Sequence, residues 1–220
     1  MGKTLKQKNQ PHLVTFTIVN VLILSAFAIG VQRLLVLADG VTKGNWTAIG
    51  KVVAVPAVVT LLLGLIGWAI PREWKETIIF WRLGDRCLPS SRAFSQIANS
   101  DPRINLGCLS GRYGPFPLEP AKQTSAWYAI YRRHLSEPSV EDAHGAYLLY
   151  REMVCLVGVS IMGTLIASVY FRLFWKSTLI CVGFLVIEYI AVMLAARHSA
   201  EHLVANVLAI ASAPDAEARE

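Results

Sequence analysis

Arg197-His198-Ser199-Ala200-Glu201-His202 sets two imidazoles one helical turn apart with a carboxylate between them. Metal-dependent hydrolases use that pattern: the imidazoles hold the ion and the carboxylate activates its bound water. A catalytic zinc site needs three protein ligands and an open position. The other donors of the neighbouring polar segment, Glu141, Asp142 and His144, have no spacing that makes them meet His198 and His202. The ordinary reading is a helix leaving a membrane, with Arg197, His198 and His202 at the headgroup boundary, where cations complement anionic lipid. No cofactor is assigned, and His198 and His202 stand as the candidates if a metal is bound.

Glu188, in Phe184-Leu-Val-Ile-Glu-Tyr-Ile-Ala-Val192, is ionisable in an otherwise apolar run. At membrane depth such a group is costly and marks a functional site or a buried partner. It lies eight residues before Ala196, about 12 Å along a helix. Asn20 and Ser160 each lie seven residues into their own apolar runs, about 10 Å deep. Thr60 falls a little deeper, so four runs place polar groups in one layer. Ser160, Thr164 and Ser168 recur every four residues, a stripe of small residues that permits close helix contact and interhelical hydrogen bonds. One reading is a neutral Glu188 bonded to Asn20 or Ser160, holding a bundle together. The other is a carboxylate lining a pore, or a proton relay.

Arginine forms the third set. Between Trp74 and Tyr150, Arg82, Arg86, Arg92, Arg103, Arg112, Arg132 and Arg133 outnumber Lys75 and Lys122. The planar guanidinium fork suits carboxylates and phosphates. Ion pairing and attraction to lipid headgroups are the ordinary account. The sharper one is a pocket for a nucleotide-like anion or a protein partner, using Arg92, Arg103, Arg132 and Arg133. Ser90-Ser91-Arg92 and Asp101-Pro102-Arg103 would form its lips. No phosphate-loop or dinucleotide fingerprint accompanies them, no G-x-S-x-G elbow is present, and no nucleic-acid module appears. The sequence therefore offers no catalytic residues and disfavours nucleic acid as a partner.

These groups are positioned by a chain with the composition of a membrane protein: 220 residues, 54% hydrophobic and 16% charged, against about 25% charged in soluble domains. Four stretches approach the ~20 apolar residues that a spanning helix needs: 13–31, 52–70, 153–171 and 178–196. The scattered Cys87, Cys108, Cys155 and Cys181 indicate neither a disulfide framework nor a cysteine zinc site. Pro56 can kink the second span.

Positive residues are retained on the cytoplasmic side. Lys3, Lys6 and Lys8, with the eleven Lys and Arg of 71–152, therefore place both termini and the central segment in the cytoplasm. Trp46, Tyr170 and Trp175 then occupy the outer interface, and Trp68 and Trp74 the inner one. Asn45-Trp46-Thr47 is a formal glycosylation sequon on the first outer loop.

The expected architecture is all-α, with four transmembrane helices and a small helical cytoplasmic domain. A basic N-terminus (1–12) precedes a transmembrane hairpin (13–70), the domain (71–152), a second hairpin (153–196) and a helical extension with a tail (197–220). Within 71–152 a helix opens after Pro71 with Trp74, Ile78 and Trp81 on one face. A turn-rich segment follows. Helical periodicity returns over 121–135, aligning Trp127, Ile130 and Tyr131, and over 139–153, which runs into the third span. The aromatic side chains of the domain are expected to be mostly core.

Trp74-Lys-Glu-Thr-Ile-Ile-Phe-Trp-Arg-Leu-Gly-Asp-Arg-Cys-Leu-Pro-Ser-Ser-Arg-Ala-Phe-Ser95, then "DPRINL", "AWYAIYRRH" and "AHGAYLLYREM", with two spans on each side, resemble small bacterial inner-membrane proteins of largely unassigned function. Some of these are membrane effectors of anti-phage defence loci. The resemblance covers most of the chain and implies a sensing cytoplasmic domain joined to a membrane-perturbing bundle; the small size of the domain separately leads us to expect that it packs in a homo-oligomer or against the membrane. A non-catalytic anchor or scaffold for a cytoplasmic protein, and a zinc-dependent membrane enzyme, are the alternatives.

Overall fold

The computed structural model describes residues 4–29, 62, 66, 67, 69–82, 88–170 and 175–213. Regular structure among them is entirely helical: α1 (Leu5–Ile29), α2 (Arg72–Phe80), α3 (Leu106–Tyr113), α4 (Pro120–Tyr131), α5 (Pro138–Tyr170) and α6 (Trp175–Ser212). Between α2 and α3 the chain makes a 3-10 turn (Pro89–Arg92), a π-helical turn (Ala93–Ile97) and a last α-helical turn (Ala98–Ser100). Most of the second predicted span, with Pro56, Thr60 and Trp68, lies outside the described residues. So do Asn45, Trp46, Thr47, Arg86, Cys87 and the end of the tail.

The helices begin and stop for local reasons. Thr4 Oγ1 accepts the Gln7 N–H at 3.3 Å while Gln7 Oε1 accepts the Thr4 N–H at 3.0 Å. This reciprocal cap satisfies two amides that a helix start leaves bare. It begins α1 within the basic segment, ahead of the apolar run at Leu13. Asn105 caps α3 by accepting the Cys108 N–H at 3.1 Å. Gly114 ends that helix at φ 82°, a conformation that glycine adopts without a Cβ penalty. Pro120 and Pro138 open α4 and α5 in the first turn, where a missing N–H costs nothing.

Helices α5 and α6 contain 33 and 38 residues. Each is long and apolar enough to cross a membrane, over Pro138–Ile166 and Thr178–Ser212. Only 28% and 22% of their most apolar windows are buried, whereas the core helix of a soluble protein is mostly buried. Ile166, Val169, Ile187 and Leu194 are more than half exposed. Such faces demand an apolar surrounding.

The chain divides into two compact units, Met1–Pro71 with Glu152–Val192, and Arg72–Arg151 with Met193–Glu220. In the first, α1 carries exposed Val14, Ile18, Val19 and Leu22 beside buried Thr17, Asn20 and Val21. Cys155 and Cys181 are buried there, whereas Cys108 of the second unit is exposed.

The second unit changes the boundaries read from sequence. Within the segment read as a helical extension, Leu203, Val204, Val207, Leu208 and Ala211 pack with Phe94, Ile97, Leu109, Trp127, Ile130 and Val140 in one core. Leu109, Val207, Leu208 and Ala211 are fully buried. Full burial of one such aliphatic side chain stabilises by about 1.5–3 kcal/mol. The end of α6 is thus the central strut of this unit.

Helix α2 departs in part from the expectation of mostly core aromatic side chains: Phe80 is buried, whereas Trp81 is exposed, and so is Trp74, which the sequence places at the inner interface. It buries Lys75, Glu76, Ile79 and Phe80, while Trp74 and Trp81 are 67% and 66% exposed. Glu76 is answered by Arg72 Nε at 2.5 Å. Trp81 ends the helix at φ 52°, left-handed for a bulky side chain, which costs about 1–3 kcal/mol where surroundings hold it. Arg197 provides part of that hold. Its Nε donates to the Ile79 carbonyl at 2.7 Å and its guanidinium lies 5.4 Å from the Trp81 ring centroid.

Candidate functional site

In the first unit, α1 and α6 bring together two of the polar groups singled out from sequence. Asn20 Nδ2 donates to Glu188 Oε1 at 2.8 Å and also to Phe16 O, one turn back, at 3.2 Å. Asn20 is 5% exposed and Glu188 half-buried. The other oxygen of each, Asn20 Oδ1 and Glu188 Oε2, is buried without a hydrogen-bond partner among the described residues. An unanswered buried acceptor costs about 1–3 kcal/mol, so the pair is half satisfied. With the carboxylate ionised, both idle atoms are acceptors and neither has a proton to offer the other. One proton on Glu188 would supply a donor, and so would an amide in its place.

Ser160 and Thr164 do not join the pair. The Ser160 hydroxyl donates to Leu156 O at 2.8 Å and that of Thr164 to Ser160 O at 2.8 Å, each one turn back along α5. Ser168 turns to Leu165 O in the same way. A hydroxyl that can reach its own helix carbonyl has little need of a neighbour. The small-residue stripe is therefore polar in sequence but internally closed.

The arginines of the second unit are mostly engaged by the protein itself. Arg92 Nη2 meets Glu201 Oε1 at 2.6 Å. Arg103 grips Asp101 with Nε and Nη2, at 3.0 and 2.7 Å to the two carboxylate oxygens, and donates to Asn206 Oδ1 at 3.2 Å. That fork holds the Asp101 carboxyl below the usual carboxylate range. Arg112 donates to Ala211 O at 3.0 Å, and Arg133 stacks 5.4 Å from the Tyr113 ring centroid. Arg132 is exposed. The two sequence segments expected to form anion-binding lips instead bind carboxylates and an amide of the same unit. These clamps fasten the turn-rich segment to α6.

His198 and His202 share a face of α6 as their spacing requires, with ring centroids 4.2 Å apart. They separate two shallow hollows. One of about 470 Å³ is lined by Asp101, Arg103, Glu201 and both histidines, and one of about 450 Å³ by Ser139, Asp142, Asn206 and both histidines. His144, a considered third ligand, has its Nδ1 2.8 Å from the Tyr131 hydroxyl. Glu201 is held by Arg92. Among the described residues no three His, Cys, Asp or Glu side chains form a metal-binding group.

One functional side chain escaped the sequence reading. Gln123 on α4 is 1% exposed. Its Oε1 accepts the Phe94 and Ser95 N–H groups at 3.2 and 3.3 Å, and its Nε2 donates to Leu118 O at 3.1 Å. A π-helical turn leaves backbone groups out of the ordinary ladder, and this amide answers them. The position two turns from buried Tyr131, on the face shared with Trp127 and Ile130, was the available signal.

Fold and site together define an all-helical protein in which at least two helices among the described residues can cross a membrane. No protein-family model matches the chain, and neither a curated protein nor a solved structure matches it.

Proposed function

We propose that this chain is a multi-pass protein of the bacterial inner membrane, with four spans, cytoplasmic termini and a cytoplasmic helical domain. In this reading it is an oligomeric effector or signalling protein. A protein partner or an anionic ligand acts on the domain, and the bundle answers by repacking, to the point of permeabilising the membrane in the manner of anti-phage effectors. The observation that carries the proposal is the half-satisfied Asn20–Glu188 pair, joining α1 to α6 within an apolar layer. A fully paired contact would have one good state, whereas this one gains by a proton or by water entering beside it.

Magnitudes favour several copies acting together. An interhelical polar contact in a membrane is worth about 0.6–2 kcal/mol. Inverting a two-state population from 1:99 to 99:1 takes about 5.5 kcal/mol. One pair cannot supply that, but equivalent pairs around an oligomer approach it.

The internally paired arginines favour a second reading, an anchor or scaffold whose domain presents a rigid surface to a protein. Dye release from vesicles containing the full chain separates the two. The effector reading expects release by the wild type and its loss in Glu188→Gln, because the amide can answer Asn20 on both sides and hold the bundle in one packing. Equal release by both removes the pair from the mechanism. A wild type that stays sealed, with and without bacterial cytosol, supports the anchor.

A further inference from the structure

The surface of α2 is inverted. A soluble helix turns its tryptophans inward and its lysine and glutamate to water. Here Lys75 and Glu76 are 6% and 9% exposed, while Trp74 and Trp81 stand out at about two thirds exposure. The two indoles stand at the ends of the helix, Trp74 in its first turn and Trp81 just past its last residue. Arg72, Glu73 and Arg82 beside them are exposed too. Indoles with an apolar body and a polar N–H, flanked by arginines, are the mixture that settles at the headgroup level of a bilayer.

Two further observations choose the occupant. Pro71, the residue before α2, closes the second apolar run, so the helix starts where that run ends. Trp81 is held by Arg197, the residue directly after the apolar run 178–196, through the guanidinium that lies over its ring. Arg197 also fastens the Ile79 carbonyl, so the end of α2 is pinned at the residue where the apolar stretch of α6 gives way to a polar one.

We infer that α2 is an interfacial helix whose Trp74 and Trp81 side chains seat in the headgroup layer of the membrane, with the exposed Arg72 and Arg82 positioned for lipid phosphates. The inference rests on the spanning reading of α6. It makes α2 a lipid-contacting element of the domain, its end held by the arginine that secures Ile79 and Trp81. Shallow insertion of this kind places an apolar face about 5–10 Å into the headgroup and acyl boundary.

The test uses the full chain in phosphatidylcholine vesicles, in variants that keep one of the six tryptophans and replace the others with Phe. Lipids brominated high or low on the acyl chain report indole depth. Retained Trp74 and retained Trp81 are expected to lose fluorescence to the shallow bromines more than to the deep ones. Retained Trp127, buried in the core, should be quenched by neither, which certifies folding. An added Ile187→Trp reporter should be quenched by the deep bromines. Trp74 and Trp81 untouched by lipid while the reporter is quenched overturns the interfacial helix and leaves the spanning reading in place. If aqueous acrylamide then reaches them, they face water, and if it does not, a protein surface or a second copy covers them. A reporter that no bromine reaches overturns the spanning reading itself.

Discussion

Gln123 and Asn20 are both buried carboxamides that reach from their own helix to another segment, and they finish differently. Gln123 uses its oxygen on two backbone amides and its nitrogen on a carbonyl. Asn20 uses its nitrogen on Glu188 and Phe16 and leaves its oxygen without a partner among the described residues. Closed polar networks fix one arrangement, and partly answered ones are where a structure has an alternative. The polar network of the second unit is therefore closed at Gln123, and that of the first unit is half answered at Asn20.

The largest effect should come from opening the closed network. Gln123→Leu keeps the volume but strands the Phe94 and Ser95 amides and the Leu118 carbonyl, a loss of about 3 kcal/mol or more. Melting in mild detergent should fall accordingly, and proteolysis between 88 and 118 should accelerate. A protected segment with an unchanged melt would mean that another group answers those amides.

The half-answered pair should respond to substitution in opposite directions. Glu188→Ala removes the side chain that meets Asn20 among the described residues and should weaken the first unit by about 1–2 kcal/mol. Glu188→Gln should match or exceed the wild type in resistance to unfolding by added dodecyl sulfate. If Gln is as damaging as Ala, the idle oxygens are not the deficiency described above, and the contrast with Gln123 collapses.

The smallest effect belongs to the exposed clamp. Arg103 lowers the pKa of Asp101 in the folded protein, so ionised Asp101 contributes stability above the unfolded carboxyl value of about 3.9. That contribution is lost as the pH falls through the lower folded value. A wild-type advantage over Asp101→Asn should be under about 1 kcal/mol at pH 7 and should close in acid. An advantage that grows on acidification would contradict the assignment.

The long helices were legible because their apolar residues run on without a breaker. Met153 to Tyr170 contains no proline, and neither does Thr178 to Ser212, so nothing stops α5 or α6. Continuation past Ala196 was legible too, from Leu203, Val204, Val207 and Leu208 at helical spacing. What those residues pack on was not, because their partners lie a hundred positions upstream and no local pattern links Phe94 to Val207. Arginine pairing was hidden for the same reason: Arg92 meets Glu201 across 109 residues. Trp81 misled in another way. Indoles read as core in a soluble setting, and only the burial of Lys75 and Glu76 shows which side of α2 faces inward. Within the apolar runs, type and position alone were enough to single out Asn20 and Glu188, since apolar surroundings leave polar groups few choices.

The distribution of thiols has a practical meaning. Cys108 is open to solvent on α3, while Cys155 and Cys181 are buried in the helices of the other unit. A charged maleimide that cannot cross a bilayer will therefore discriminate among them by access alone. In a Cys87→Ser background, Cys108 becomes a native label for sidedness, available to intact cells or only to inverted vesicles according to which face of the membrane carries the second unit.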